Sequence, residues 1–200
     1  LRGLRIMALA GHPFLLVQLL LQYKNNFILG ENRTQLYKQS IKHLVIELNE
    51  ERKGQIKPST TPEQRIEISK LLAIHSVFSS KVNIIVPDMD SSNEMILDAT
   101  ECLSYFDKGQ NWNIGTSEIL ETLNTALFRK DQKGFSFSHR SFAEYLVADY
   151  LSDMDGLLLT GIKSLMSIES STCIPTQLRE TAAWLAGLNK DFRTWLIKRD

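Results

Sequence analysis

Phe135-Ser-Phe-Ser-His-Arg-Ser-Phe-Ala-Glu-Tyr-Leu-Val-Ala-Asp-Tyr-Leu151 is the stretch around which the chain is read. It opens in a strand pattern, with Phe135 and Phe137 on one face and Ser136 and Ser138 on the other. It then changes period: Phe142, Tyr145, Leu146, Asp149 and Tyr150 fall at helical spacing. His139 stands at the join, beside a helix N-terminus, where the backbone field favours anions.

Upstream, residues 126–129, a turn over 130–134 and the strand over 135–138 read as a β-hairpin. Before it, Thr116-Ser-Glu118 opens a helix over 119–123. Ser91-Ser92 is expected to open a helix through Met95, Ile96, Ala99, Leu103 and Phe106, and residues 82–86 a short strand ended by Pro87. Thr61-Pro-Glu63 is a strong helix start, combining a capping hydroxyl, a proline suited to the first position and an early acid. The helix it opens carries Ile66, Ile68, Leu71, Leu72, Ile74, His75 and Phe78. Helices followed by a two-stranded hairpin outline a winged helix.

The remainder is helical in pattern. Pro13 divides residues 4–23 into a helix, a turn and a second, very apolar helix over 14–21 that should be buried on most sides. Residues 32–34 start a helix over 35–49 with Leu36, Ile41, Leu44, Val45 and Leu48 as its stripe. After 157 come helices over 157–168, 176–188 and 191–197, with Trp184 and Trp195 expected to pack between them. The fold class expected is therefore mainly α: a helical subdomain over 1–50, a linker over 51–61, a winged-helix domain over 62–152, and a helical segment over 153–200 that would start a repeat array.

Composition narrows the function. Lys+Arg and Asp+Glu both number 23 in 200 residues, so no general attraction to nucleic acid or anionic lipid is expected. The apolar run 14–21 is too short to span a bilayer. Cys102 and Cys173 lie outside any metal or disulfide spacing and read as buried or half-buried thiols in a reducing, cytoplasmic setting. The chain begins and ends in mid-pattern, which reads as a piece of a longer protein.

Three motifs carry a resemblance. Gly11-His-Pro-Phe-Leu-Leu16 resembles the "G/N-x-P-x-x-L" element in the helical lid of NACHT-type signal-transduction ATPases. Asn32-Arg-Thr-Gln-Leu-Tyr37 matches the "NRTELY" piece that follows in that lid. The stretch from Phe135 to Leu146 is close to the family's winged-helix signature "F-x-F-x-H-x-S-F-x-E-Y-L", and residues 182–189 resemble a helix that follows in many bacterial members. No Gly-x-x-x-x-Gly-Lys-Ser/Thr loop and no strand ending in paired acids is present in the 200 residues. The resemblance implies that these lie in a preceding nucleotide-binding core. The parent would then be the ATPase, and this piece alone would neither hold nucleotide tightly nor hydrolyse it.

The resemblance also implies ADP or ATP, with Mg²⁺ in the parent, as ligands, Pro13 resting on the adenine ring, and His139 contacting the β-phosphate. It implies self-association on activation, and defence signalling. Read without the family, His139 is a histidine capping a turn and Pro13 a helix breaker. His12 and Arg33 stay ambiguous, Glu144 is expected to pair with Arg140 at i,i+4, and Tyr145 to sit in the core. A DNA-binding winged helix, a transcription regulator, is the alternative. Its wing has Arg129, Lys130 and Lys133, but the preceding helix carries Glu118 and Glu121 and no basic residue. A Ser-His hydrolase is not indicated: no Gly-x-Ser-x-Gly elbow is present, and the side chains of the adjacent Ser138 and His139 diverge.

Overall fold

In the computed structural model, residues 16–17, 20–21, 23–24, 33–46, 59–86, 96–99, 114–167 and 173–198 are described. Among them the chain is mainly helical, with one small sheet. The helices are α1 (Arg33–Ile46), α2 (Pro62–Ser79), α3 (Thr116–Leu123), α4 (Arg140–Ser152), α5 (Gly156–Leu165), α6 (Arg179–Leu188) and α7 (Lys190–Ile197), with a 3-10 turn at Thr176–Leu178. The strands are β1 (Asn83–Ile85), β2 (Ile96–Asp98), β3 (Phe128–Asp131) and β4 (Gly134–Phe137).

The hairpin forms where its pattern places it, with a tighter turn. Phe128 faces Phe137 and Asp131 faces Gly134, leaving Gln132 and Lys133 as the loop. The Phe128 and Phe137 rings lie 4.6 Å apart, a cross-strand aromatic pair. β4 pairs on its other edge with β1 through Phe135 and Ile84, and β2 lies parallel to β1, giving the order β2-β1-β4-β3. Residues 96–98 are thus a strand and not part of the expected helix. Short apolar runs suit either form, and the open edge of β1 supplies backbone partners that settle the choice.

β4 departs from the expected alternation, since all four of its residues are buried. Ser136 is buried because Arg129, opposite it on β3, lays its guanidinium across and donates from Nε to Ser136 Oγ at 3.0 Å.

α2 starts as its sequence demands. Thr61 Oγ1 accepts from the Gln64 N–H at 3.2 Å, Gln64 Oε1 accepts from the Thr61 N–H at 2.8 Å, and Pro62 fills the first position. Its buried face includes Arg65 and Ser69, which no apolar stripe reveals. Arg65 donates to the Val45 carbonyl at 2.8 Å and to Thr60 Oγ1 at 2.9 Å, and pairs with Glu121 of α3. Ser59 donates to the same carboxylate from its N–H at 2.9 Å and its hydroxyl at 2.7 Å. Residues 59–60 are therefore pinned between α1, α2 and α3.

α4 is the axis of the fold. It packs on α2 and α6, and more lightly on α1. Residues from Phe142 through Ala148 are buried without interruption. Lys70 of α2 reaches Asp149 at 2.9 Å and Glu67 at 2.9 Å, tying α2 to α4 by charge as well as packing. Leu36, Tyr37, Ile41 and Val45 of α1 and Leu178, Ala182, Trp184, Leu185 and Phe192 beyond α5 join the same hydrophobic core.

Two expectations of burial fail. Leu16, Val17, Leu20 and Leu21 of the apolar run are exposed, since no described element covers them. Cys173 is exposed too, while Cys102 lies outside the described residues. On α5, Leu157, Leu158 and Leu165 are exposed, and Leu159 and Ile162 turn inward. No helix among the described residues is long and apolar enough to cross a membrane.

Candidate functional site

The site is built where β4 hands over to α4. The chain leaves the buried strand at Phe137, and Ser138 keeps its N–H bonded to the Leu127 carbonyl at 2.9 Å, so the turn is held to the hairpin. His139 follows in an extended conformation, φ −145° and ψ 133°, and is the N-cap of α4. Its Nδ1 accepts from the Ser141 backbone N–H at 3.2 Å, as an oxygen of Ser or Asp would at a more common cap. Nδ1 also lies 2.6 Å from Ser141 Oγ.

That geometry decides the state of the ring. A backbone N–H aimed at Nδ1 requires a lone pair there, so the ring proton sits on Nε2 and Nε2 is the donor. Partial burial lowers the ring's pKa below its ordinary 6.5, in the same sense as the Nδ1 bond, which also favours the neutral imidazole.

The signature residues around His139 each acquire a physical reason. Phe142 and Leu146 fill the core, and Tyr145 packs edge-on to Trp184 with ring centres 5.2 Å apart. Glu144 is buried and accepts from Arg140 Nε at 2.9 Å, the i,i+4 pair expected from spacing. Burial pushes the Glu144 carboxyl up, against the Arg140 guanidinium, which favours its charge. Arg140 also donates to the Gln177 carbonyl at 3.2 Å, bracing the start of α4 against the turn before α6.

His139 lines a concavity of about 380 Å³. Its walls come from the end of α2 (Ser76, Ser80), from β3 (Arg129), from the β4–α4 join (Ser138, Arg140) and from Gln177. Among the described residues, the charged side chains on this wall are Arg129 and Arg140, both basic, and no acid lines it. Such a recess offers hydrogen-bond donors and positive charge to an anion.

Pro13 and His12, the first of them expected on the adenine ring, lie outside the described residues. Arg33, left ambiguous by the sequence, carries its guanidinium 4.0 Å over the Trp184 ring. His43 is exposed on α1. Among the described residues no group of three His, Cys, Asp or Glu side chains is arranged to hold a metal.

Sequence reasoning weighed Ser138 as the serine beside His139, but the hydroxyl on the ring belongs to Ser141. The signal was present, because the residue two after an N-cap is where a cap side chain finds its N–H. The Ser141–His139 contact belongs to a helix cap, and Ser141 Oγ also accepts from the Tyr37 hydroxyl at 2.9 Å. Glu121 also reads differently once placed. It is buried against Arg65, so it adds no negative charge to a recognition surface. No protein-family model, curated protein or solved structure matches the chain.

Proposed function

We propose that the chain is the regulatory lid and winged-helix module of a NACHT-type nucleotide-dependent signalling switch, with His139 as its reporter of nucleotide state. The observation that carries this reading is the state of His139. A neutral ring is held by its Nδ1 at the N-terminus of α4, with Nε2 as donor, on the wall of a recess that also presents Arg129 and Arg140. A phosphate oxygen is the acceptor such a donor suits.

In this reading a nucleotide-binding core precedes the module and holds ADP or ATP with Mg²⁺. Pro13 rests on the adenine, and His139 bonds the β-phosphate of ADP. That bond staples the winged helix to the core, and its loss frees the module to self-associate, in innate immune or antiphage defence signalling. The exposed Leu16, Val17, Leu20 and Leu21 support the reading, because they give such a core an apolar face to pack on.

The test is His139→Ala in the full-length protein. One hydrogen bond to a charged group is worth about 1.5–3 kcal/mol, so ADP retention should weaken by about tenfold or more while basal self-association rises. Wild-type ADP occupancy together with wild-type oligomeric state would remove His139 from this role.

One observation favours a second reading, a DNA-binding winged helix: Arg129, Lys130 and Lys133 are exposed on the wing. The helix before the wing argues against it. From Ile119 to Leu123 most of α3 is buried, and its exposed N-terminal residues, Thr116 and Ser117, are uncharged. A salt-sensitive duplex shift at micromolar protein would favour DNA instead.

A further inference from the structure

Tyr37 lies on α1, more than a hundred residues before His139, and is 2% exposed. Three rings hold it. Trp184 of α6 is 4.6 Å away between centroids, Phe142 of α4 is 5.6 Å away edge-on, and Tyr145 of α4 is 5.7 Å away. A ring gripped on three sides has little freedom to turn, so its hydroxyl is delivered to one place. That place is Ser141 Oγ, at 2.9 Å.

The direction of each bond then follows. Tyr37 donates to Ser141 Oγ, which spends an acceptor site of the serine. The serine's own proton is left to point at His139 Nδ1, 2.6 Å away. Nδ1 receives the Ser141 N–H from the other direction at 3.2 Å, so both donors address one lone pair. Among the described residues, the charged and titratable groups near these three are Arg33 on α1, Arg129 on β3, Arg140 and Glu144 on α4, and Glu180 on α6, whose charge is felt at Glu144. Glu144 is paired with Arg140, and the bonds of the relay itself run only through the two hydroxyls and the ring, so the polarity of the relay comes from the hydroxyls.

We infer that Tyr37 and Ser141 are positioning residues for His139: a hydroxyl relay from α1 to α4 keeps Nδ1 an acceptor and thereby makes Nε2 the nitrogen that donates to an anionic ligand. The relay links the seating of α1 on α4 to the hydrogen-bonding state of the ring at the helix start. If α1 shifts from α4 by more than about an ångström, the Tyr37–Ser141 bond is lost. Ser141 Oγ can then turn its lone pair toward Nδ1, which favours the doubly protonated ring. The phosphate role of Nε2 rests on the nucleotide reading above, whereas the relay itself does not.

The experiment is nitrogen-15 NMR of the histidine rings in this chain, with His139 assigned by His139→Gln. The wild type should show a neutral Nε2–H ring whose Nδ1 signal carries the upfield shift of a strongly bonded acceptor. Tyr37→Phe, which removes one oxygen and keeps the ring, should move Nδ1 toward an unbonded acceptor and raise the ring's pKa by about half a unit or more. Ser141→Ala should do the same and Ser141→Thr should restore both signals, so the serine pair decides the matter even if Tyr37→Phe unfolds. Wild-type Nδ1 shift and titration in folded Tyr37→Phe, or in Ser141→Ala, would overturn the relay. Unchanged ADP retention in full-length His139→Ala would instead sink the nucleotide reading and leave the NMR result standing.

Discussion

Gly134 shows how much one position can require. Its φ is +121°, and a Cβ built there would lie 2.5 Å from the Ile84 carbonyl oxygen. Both the backbone angle and the close approach of β1 exclude a side chain. Gly134→Ala should cost about 2 kcal/mol or more in chemical denaturation, because strain and a displaced β1 add. A variant within 0.5 kcal/mol of wild type, about the noise of a surface change, would show that the hairpin and β1 move apart freely. At the same scale, spacing marked His139 as the neighbour of a helix start. It marked neither Ser141 as the hydroxyl on that ring nor Tyr37 as the partner of Ser141, because nothing local connects residue 37 to residue 141.

Among the elements, the joint between α4 and α7 is the most economical. Asn189 Oδ1 caps α7 by accepting from the Phe192 N–H at 2.9 Å, while its Nδ2 donates to the Ser152 carbonyl at the end of α4 at 3.0 Å. One amide thus closes one helix and fastens it to another. Asn189→Ala removes both bonds and should cost about 1–2 kcal/mol. Hydrogen exchange should show it locally, with faster exchange across α7 and unchanged protection in α2. Equal loss in both helices would mean that α7 is not a separable unit. Helices with strong caps, such as α2 behind Thr61, were legible from local chemistry. β2 was not, because Ile96-Leu-Asp98 becomes a strand only when the edge of β1 is beside it.

Across the whole molecule, the Arg65–Glu121 pair joins segments that the sequence separates. It connects the end of α1, residues 59–60, α2 and α3 in one buried network. Burial opposes the Glu121 charge, but the Ser59 hydroxyl and N–H, Arg65 and Thr60 outweigh it and hold the carboxyl down at about 2. A depressed acid stabilises the fold above its unfolded pKa, near 4.5, and loses that contribution as pH falls toward 2. The loss should approach about 3 kcal/mol, measured as falling stability between pH 4.5 and pH 2, and Glu121→Gln should flatten that slope. An unchanged slope in the variant would place the acid sensitivity elsewhere. The neutral variant should itself be destabilised by several kcal/mol at pH 7, because Arg65 keeps its charge in a buried site.

What the sequence determined by itself is what local physics can carry: the caps, the proline and glycine positions, the helical and strand periods, and a histidine at a strand-to-helix join. These depend on neighbours a few residues away, whose spacing is written in the chain. Only the tertiary structure decided what fills the space around that join. It brought Tyr37 onto Ser141, buried Glu121 against Arg65, turned Arg129 across Ser136, and left Leu16 to Leu21 facing outward where described. Each outcome turns on which distant segment arrives at a surface, and a one-dimensional pattern of polarity holds no record of that arrival.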